Sequence, residues 1–142
     1  MSTINPSGYH ALRHFVEPLR YGDILGVSKG GFLIGTYGME DVLVPFLQAF
    51  RALPAVVFDD VAAVGDVRVR AKTYDGKSWF YVVNTSDRKQ KIKIEFPAKT
   101  VNLVSGEVYK GGLFGGAEKL ELELAPYEMR SYSAPKGKPK VQ

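Results

Sequence analysis

The hydrophobic period of the chain changes near Pro54. Before it, the signals are helical. Asn5-Pro6 marks a helix start, with Asn as N-cap and Pro at the first helical position. Tyr9, Leu12, Phe15, Val16 and Leu19 follow at helical spacing. Pro18 is expected to kink this helix or to end it near Val16. Gly30-Gly31-Phe32-Leu33-Ile34-Gly35 is a short apolar run bounded by glycine, the pattern of a fully buried strand. Glu40-Asp41 then leads Val42, Leu43, Phe46, Leu47, Phe50 and Leu53. That stripe predicts an amphipathic helix with acids at its positive end, closed by Pro54.

From Ala55 onward the period is two. Val67, Val69 and Ala71 alternate with Arg68, Arg70 and Lys72, and Asp75-Gly76 signals a tight hairpin. Trp79 to Val83 is continuously apolar, which predicts a central strand covered on both faces. Ile92, Ile94 and Phe96 alternate with Lys91, Lys93 and Glu95. Val101–Val104 ends at Ser105-Gly106, Leu120, Leu122 and Leu124 alternate with Glu121 and Glu123, and Tyr127–Tyr132 closes the pattern. Evenly spaced short strands of this kind predict a mainly β fold, an antiparallel β-sandwich of six to eight strands preceded by an α-helical N-terminal segment. The expected divisions are a helical segment at 1–54, the sandwich at 55–133 and a disordered basic tail at 134–142.

Length and charge refine this. The chain has 142 residues, the size of one domain, and a formal net charge of +4. In residues 1–54, Arg13, Arg20, Lys29 and Arg51 balance Glu17, Asp23, Glu40 and Asp41. Most of the excess lies in the tail, where Lys136, Lys138 and Lys140 stand without an acid. A near-neutral body argues against nucleic-acid binding. With no Cys, disulfides, thiolate zinc sites and cysteine nucleophiles are excluded. No apolar run is long enough for a transmembrane helix, no signal peptide is visible, and no membrane partner is expected.

Candidate chemistry is sparse. His10 and His14 are four apart on the first helix with Glu17 three further on, a weak metal pattern. The catalytic zinc pattern needs Glu directly after the first His, where Ala11 stands, so no metal or cofactor is expected. Three carboxylate groups, Glu40-Asp41, Asp59-Asp60 and Asp66/Asp75, invite a glycosidase reading. Sequence neighbours point in different directions and rarely face each other across a cleft, so none is taken as a catalytic pair. The glycine runs lack phosphate-loop order, and Leu113-Phe114 in Gly111–Gly116 is expected as a loop tip with tucked apolar side chains rather than as a lipid or partner contact. Asn84-Thr85-Ser86 is a glycosylation sequon on an expected turn.

Three segments carry a resemblance. Lys77-Ser78-Trp79-Phe80-Tyr81-Val82-Val83-Asn84-Thr85 is a strand running into an Asn-Thr turn. Val101-Asn102-Leu103-Val104-Ser105-Gly106-Glu107 is a strand ending in Ser-Gly. Leu122–Tyr132 is a strand, then Pro126-Tyr127-Glu128, then a final strand. In order and spacing these resemble the C-terminal β-sandwich domain that follows the catalytic barrel in many bacterial glycoside hydrolases. Gly31–Gly38 and Asp41–Leu53 are similar to the last strand and helix of such a barrel. A whole barrel needs about 250 residues, so only its end could be present. The resemblance carries over no catalytic residue. It implies Thr36 and Tyr37 as substrate-binding candidates at the active-site end of the barrel strand. Trp79 and Tyr81 are further candidates as sugar-stacking rings.

The expected role is therefore a non-catalytic accessory domain that stabilises or shapes a catalytic barrel in the same or a neighbouring chain. Carbohydrate is the expected ligand class, and export to periplasm or medium would follow if the parent enzyme degrades polysaccharide. Two rivals are a free-standing carbohydrate-binding module and an interaction sandwich. The latter would use Arg68, Arg70, Lys72, Lys91 and Lys93 side by side as one basic face. If residues 1–54 do not pack on the sandwich, Phe46, Leu47 and Phe50 form an apolar patch, and self-association is expected.

Overall fold

The computed structural model describes residues 12–21 and 40–142, without the side chains of His14, Tyr21 and Glu40. The helix start at Asn5-Pro6 and the apolar run at 30–35 lie outside the described residues. Helix α1 (Arg13–Tyr21) continues through Pro18 instead of ending before it. Val16 and Leu19 flank that proline at 0% and 1% exposure, so burial on both sides offsets the missing hydrogen bond. Helix α2 (Glu40–Arg51) includes Pro45 and ends close to Pro54, as its apolar stripe predicts.

Nine strands follow: β1 (Asp59–Val64), β2 (Val67–Tyr74), β3 (Lys77–Asn84), β4 (Gln90–Phe96), β5 (Thr100–Asn102), β6 (Val108–Tyr109), β7 (Glu118–Leu124), β8 (Met129–Ala134) and β9 (Lys140–Val141). They form two antiparallel sheets, one in the order β1-β2-β3-β8-β5-β6 and one in the order β7-β4-β9. The β2–β3 hairpin turns at Asp75-Gly76, whose φ angles of 50° and 71° are both positive, as a type I′ turn requires.

The two sheets face each other across one core. Val67, Val69 and Ala71 of β2, Phe80 and Val82 of β3, Ile92, Ile94 and Phe96 of β4, Leu122 and Leu124 of β7 and Tyr132 of β8 meet there. Phe96 has ring centroids at 4.7 Å from Tyr132, 5.0 Å from Tyr109 and 5.3 Å from Phe80. A second core lies on the other side of the larger sheet. Tyr81, Val83 and Met129 pack there against Val16 and Leu19 of α1 and Leu43, Phe46 and Ala49 of α2. Layers of helix, sheet and sheet result, and β3 is covered on both faces, as its unbroken apolar run predicts.

Three expectations change. Residues 140–141, read as part of a disordered tail, pair as β9 with β4, Val141 opposite Ile94 and Lys140 opposite Glu95. Gly137, at φ 92°, helps to return the chain, and the Gln142 amide donates to the Lys93 carbonyl at 3.1 Å. Edge pairing and the apolar Val141 outweigh the tail's charged composition. Second, Phe46 is buried, with Leu47 and Phe50 packed around it, so the patch expected to drive self-association is covered by the sandwich. Third, the two basic rows do not lie side by side. Their apolar neighbours on β2 and β4 both point into the core between the sheets, so Arg68, Arg70 and Lys72 project from one outer face and Lys91 and Lys93 from the opposite one.

Candidate functional site

Asn84, the last residue of β3, joins two turns. It is fully buried. Its Nδ2 donates to the Arg88 carbonyl at 2.6 Å and to the Ala125 carbonyl at 3.0 Å. Its Oδ1 accepts from the Ser86 amide at 3.0 Å and the Ser86 hydroxyl at 2.8 Å. All the bonds this side chain can make inside the protein are thus used on the β3–β4 turn and the β7–β8 turn. The next residue ties in β2: the Thr85 amide and hydroxyl both donate to the Asp66 carbonyl, at 2.9 and 2.7 Å.

The β7–β8 turn answers with an unusual backbone. Glu128 N donates to the Ala125 carbonyl at 3.1 Å, closing a turn with Pro126 and Tyr127 in its middle. Tyr127 has φ 56°, a left-handed conformation that is rare and costly for a bulky residue. Its amide donates to the Ser86 carbonyl at 3.0 Å, and its ring is 6% exposed. Burial and this bond hold the strained residue in place, and such strain concentrates at functional positions.

Above these turns, where α1 meets the sandwich, lies a cleft of about 290 Å³ lined by Arg13, Glu17, Arg20, Asp66, Thr85, Ser86, Asp87 and Tyr127. Arg20 Nη2 is 3.1 Å from Asp66 Oδ1, and Arg13 is 3.9 Å from Glu17. The wall alternates guanidinium donors, carboxylate acceptors and hydroxyls beside a tyrosine. That set suits a polar, polyhydroxylated ligand. It contains no histidine or cysteine, and no group of three metal-binding side chains occurs among the described residues.

The residues singled out from sequence lie elsewhere. His10, Thr36 and Tyr37 are outside the described residues. His14 is on α1, and Glu17, its expected companion, faces Arg13. Trp79 is partly buried against the helix-side core, and its indole donates to the Tyr74 carbonyl at 3.0 Å. Tyr81 has no exposed surface and lies 5.4 Å, ring to ring, from Phe58. Tyr81 therefore presents no open ring face for stacking. Asp59 and Asp60 belong to cross-strand pairs, Asp60 with Arg70 at 2.6 Å and Asp59 with Lys72 at 3.5 Å. The hydrogen bond from Arg70 holds the Asp60 carboxyl below its ordinary range. Asp66 faces Arg20, and Asp75 sits in the hairpin turn, so these two form no catalytic pair. Sequence reasoning missed Arg13, Arg20 and Asp87 as site residues, and considered Asp66 only beside Asp75. Their signal was indirect, in the Asn-Thr and Pro-Tyr-Glu turns that assemble the cleft floor.

Solved structures resemble this fold over part of their length. AmyP in complex with maltose aligns with 73% of this chain at 17% identity, with a TM-score of 0.49. An α-amylase from Geobacillus thermoleovorans, complexed with acarbose, aligns with 72% at 14% identity and a TM-score of 0.48. A β-L-arabinopyranosidase from Geobacillus stearothermophilus aligns with 54% at 17% identity and a TM-score of 0.42. These neighbours are glycoside hydrolases. The aligned part is a minor share of each, 22%, 24% and 19% of those chains respectively. No protein-family model and no curated protein matches the sequence.

Proposed function

We propose that this chain is an accessory domain of a carbohydrate-active enzyme, one that stabilises or shapes a catalytic barrel and does not itself catalyse. The observation that carries the reading is the apolar outer face of the larger sheet. Tyr81, Val83 and Met129 are buried there under α1 and α2. A free sandwich would present alternating polar residues on that side, as the smaller sheet does with Lys91, Glu121 and Glu123. The sandwich is thus built to sit on helices, as such a domain sits on the helical shell of a barrel.

Within this reading, residues 1–54 are the end of the barrel and 55–142 the accessory domain. The cleft beside Tyr127 lies at the junction and offers hydroxyl-binding groups toward it. A free carbohydrate-binding module is less well supported. Among the described residues, the well-exposed aromatics are Tyr74 and Phe114, which come from the end of β2 and from the β6–β7 loop and make no row.

The coding context tests the proposal. An open frame continuing upstream of Met1, encoding further strand–helix units with two carboxylates at strand ends, is the expected result. A stop codon directly upstream would overturn it.

A further inference from the structure

At the far end of the sandwich, the loop between β6 and β7 is a closed turn. Gly115 N donates to Gly112 O at 2.9 Å, and Gly112 N to Gly116 O at 3.2 Å. Leu113 and Phe114 are the two central residues, 99% and 100% exposed. They are not tucked, contrary to the expectation from sequence. The base of the loop explains why. Gly111 has φ 96°, its amide donates to Glu118 Oε2 at 3.2 Å, and a Cβ there would meet Gly116 O at 2.2 Å and Ala98 Cβ at 3.2 Å. The loop is locked against the 97–99 turn, and its tip points outward.

The same loop forms one wall of a groove of about 580 Å³. Lys99, Lys136, Lys138 and Lys140 line it together with Pro97 and Pro135, and Glu95 is the only acid in that lining. Lys138 also lies 3.8 Å from Asp59. Adjacent aliphatic and aromatic side chains held fully in water, beside an excess of lysines, match an interface with anionic headgroups outside and acyl chains within. A sugar would use the ring of Phe114 and the lysines but would leave Leu113 without a role.

We propose that this end of the sandwich docks on anionic phospholipid membranes, with Leu113 and Phe114 entering the acyl boundary and the groove lysines facing the headgroups. The expectation of no membrane partner rested on the lack of a spanning helix. No described helix is long and apolar enough to cross, and a surface contact needs none. The proposal is independent of the accessory-domain reading.

The test is co-sedimentation of the full chain with phosphatidylcholine vesicles, with and without phosphatidylserine. Binding is expected only with phosphatidylserine and is expected to weaken as salt rises. The double variant Leu113→Ser/Phe114→Ser touches no core residue and should weaken binding at least tenfold. Lys99→Gln and Lys136→Gln should each weaken it about fivefold, the effect of roughly one lysine at such a surface. No sedimentation with phosphatidylserine vesicles would overturn the proposal. So would unchanged binding of the double variant, or retention by a soluble acidic polysaccharide in its place.

Discussion

Replacing Asn84 with Ala should be among the most damaging single changes in the sandwich. The side chain makes four hydrogen bonds, to Arg88 O, Ala125 O, Ser86 N and Ser86 Oγ, in a position with no exposed surface. Each is worth about 1 kcal/mol net, so the four together make the expected loss about 3–5 kcal/mol. For a domain of this size that lowers Tm by roughly 10–15 °C. Urea unfolding followed by circular dichroism measures it. Asn84→Asp separates the bonds from the volume. It keeps the acceptor for Ser86 but turns a carboxylate toward two carbonyl oxygens, so it should be as destabilising at neutral pH. Acidification protonates the new carboxyl, restores one donor and should recover part of the loss. A loss below about 1 kcal/mol for Asn84→Ala, on the same scale as a single hydrogen bond, would refute the view that this residue joins the two turns.

Three further outcomes are expected. Phe46→Ala removes a buried ring in contact with Phe15 and Phe50, at 5.8 and 6.3 Å between centroids, and should cost about 3–5 kcal/mol. Because helices and sheet share that core, unfolding should remain one transition by both near- and far-ultraviolet dichroism, whereas two transitions would refute the shared core. Burial, together with the hydrogen bond to Glu107, pushes the Tyr109 phenol up to about 12. A group raised in the folded state contributes stability that is full below its unfolded value and lost above it. Urea stability should therefore fall between about pH 10 and pH 12, and Tyr109→Phe should flatten that slope. Asp60 is the opposite case, lowered by the hydrogen bond from Arg70. Its contribution is present above its unfolded value of about 3.9 and is lost as pH falls below that. Asp60→Asn should cost only about 0.2–1 kcal/mol at neutral pH, since the carboxylate is well exposed, and should lessen the acid dependence measured in urea.

What the sequence disclosed follows from how local each signal is. The β2–β3 hairpin is written in two adjacent residues that tolerate positive φ. The double coverage of β3 is written in one unbroken apolar run. Strands β6 and β9 are only two residues long and exist through their partners, as Val108 does opposite Val101 and Val141 opposite Ile94, so no periodicity announces them. The cleft was hidden for the same reason. Arg13 and Arg20 come from a helix, Asp66 from the β1–β2 turn, Asp87 from the β3–β4 turn and Tyr127 from the β7–β8 turn. Only the motifs around Asn84 and Tyr127 hinted that these turns meet. Alternation correctly placed the basic residues of β2 and β4 on the outer faces of their sheets, yet it cannot say which sheet each strand joins, and the two rows point away from each other.

The two outer faces of the sandwich carry the strongest physical argument about its role. On the smaller sheet, Lys91 lies 3.6 Å from Glu121 and 3.7 Å from Glu123, and Lys89 lies 3.7 Å from Glu123. Such exposed pairs add little stability, but they keep a sheet face soluble. On the larger sheet, the central strands β3 and β8 turn Tyr81, Val83 and Met129 outward, and charge returns only toward the edge, at Arg68, Arg70 and Lys72 of β2. A face with an apolar centre and a charged margin has the anatomy of an interface, with a dry middle and a polar rim. In this chain α1 and α2 fill the middle, and the Arg20–Asp66 pair stands at its rim with both partners about a third exposed. The helices are therefore not an appendage to a finished sandwich. They supply the layer without which its larger sheet would hold three large apolar side chains in water.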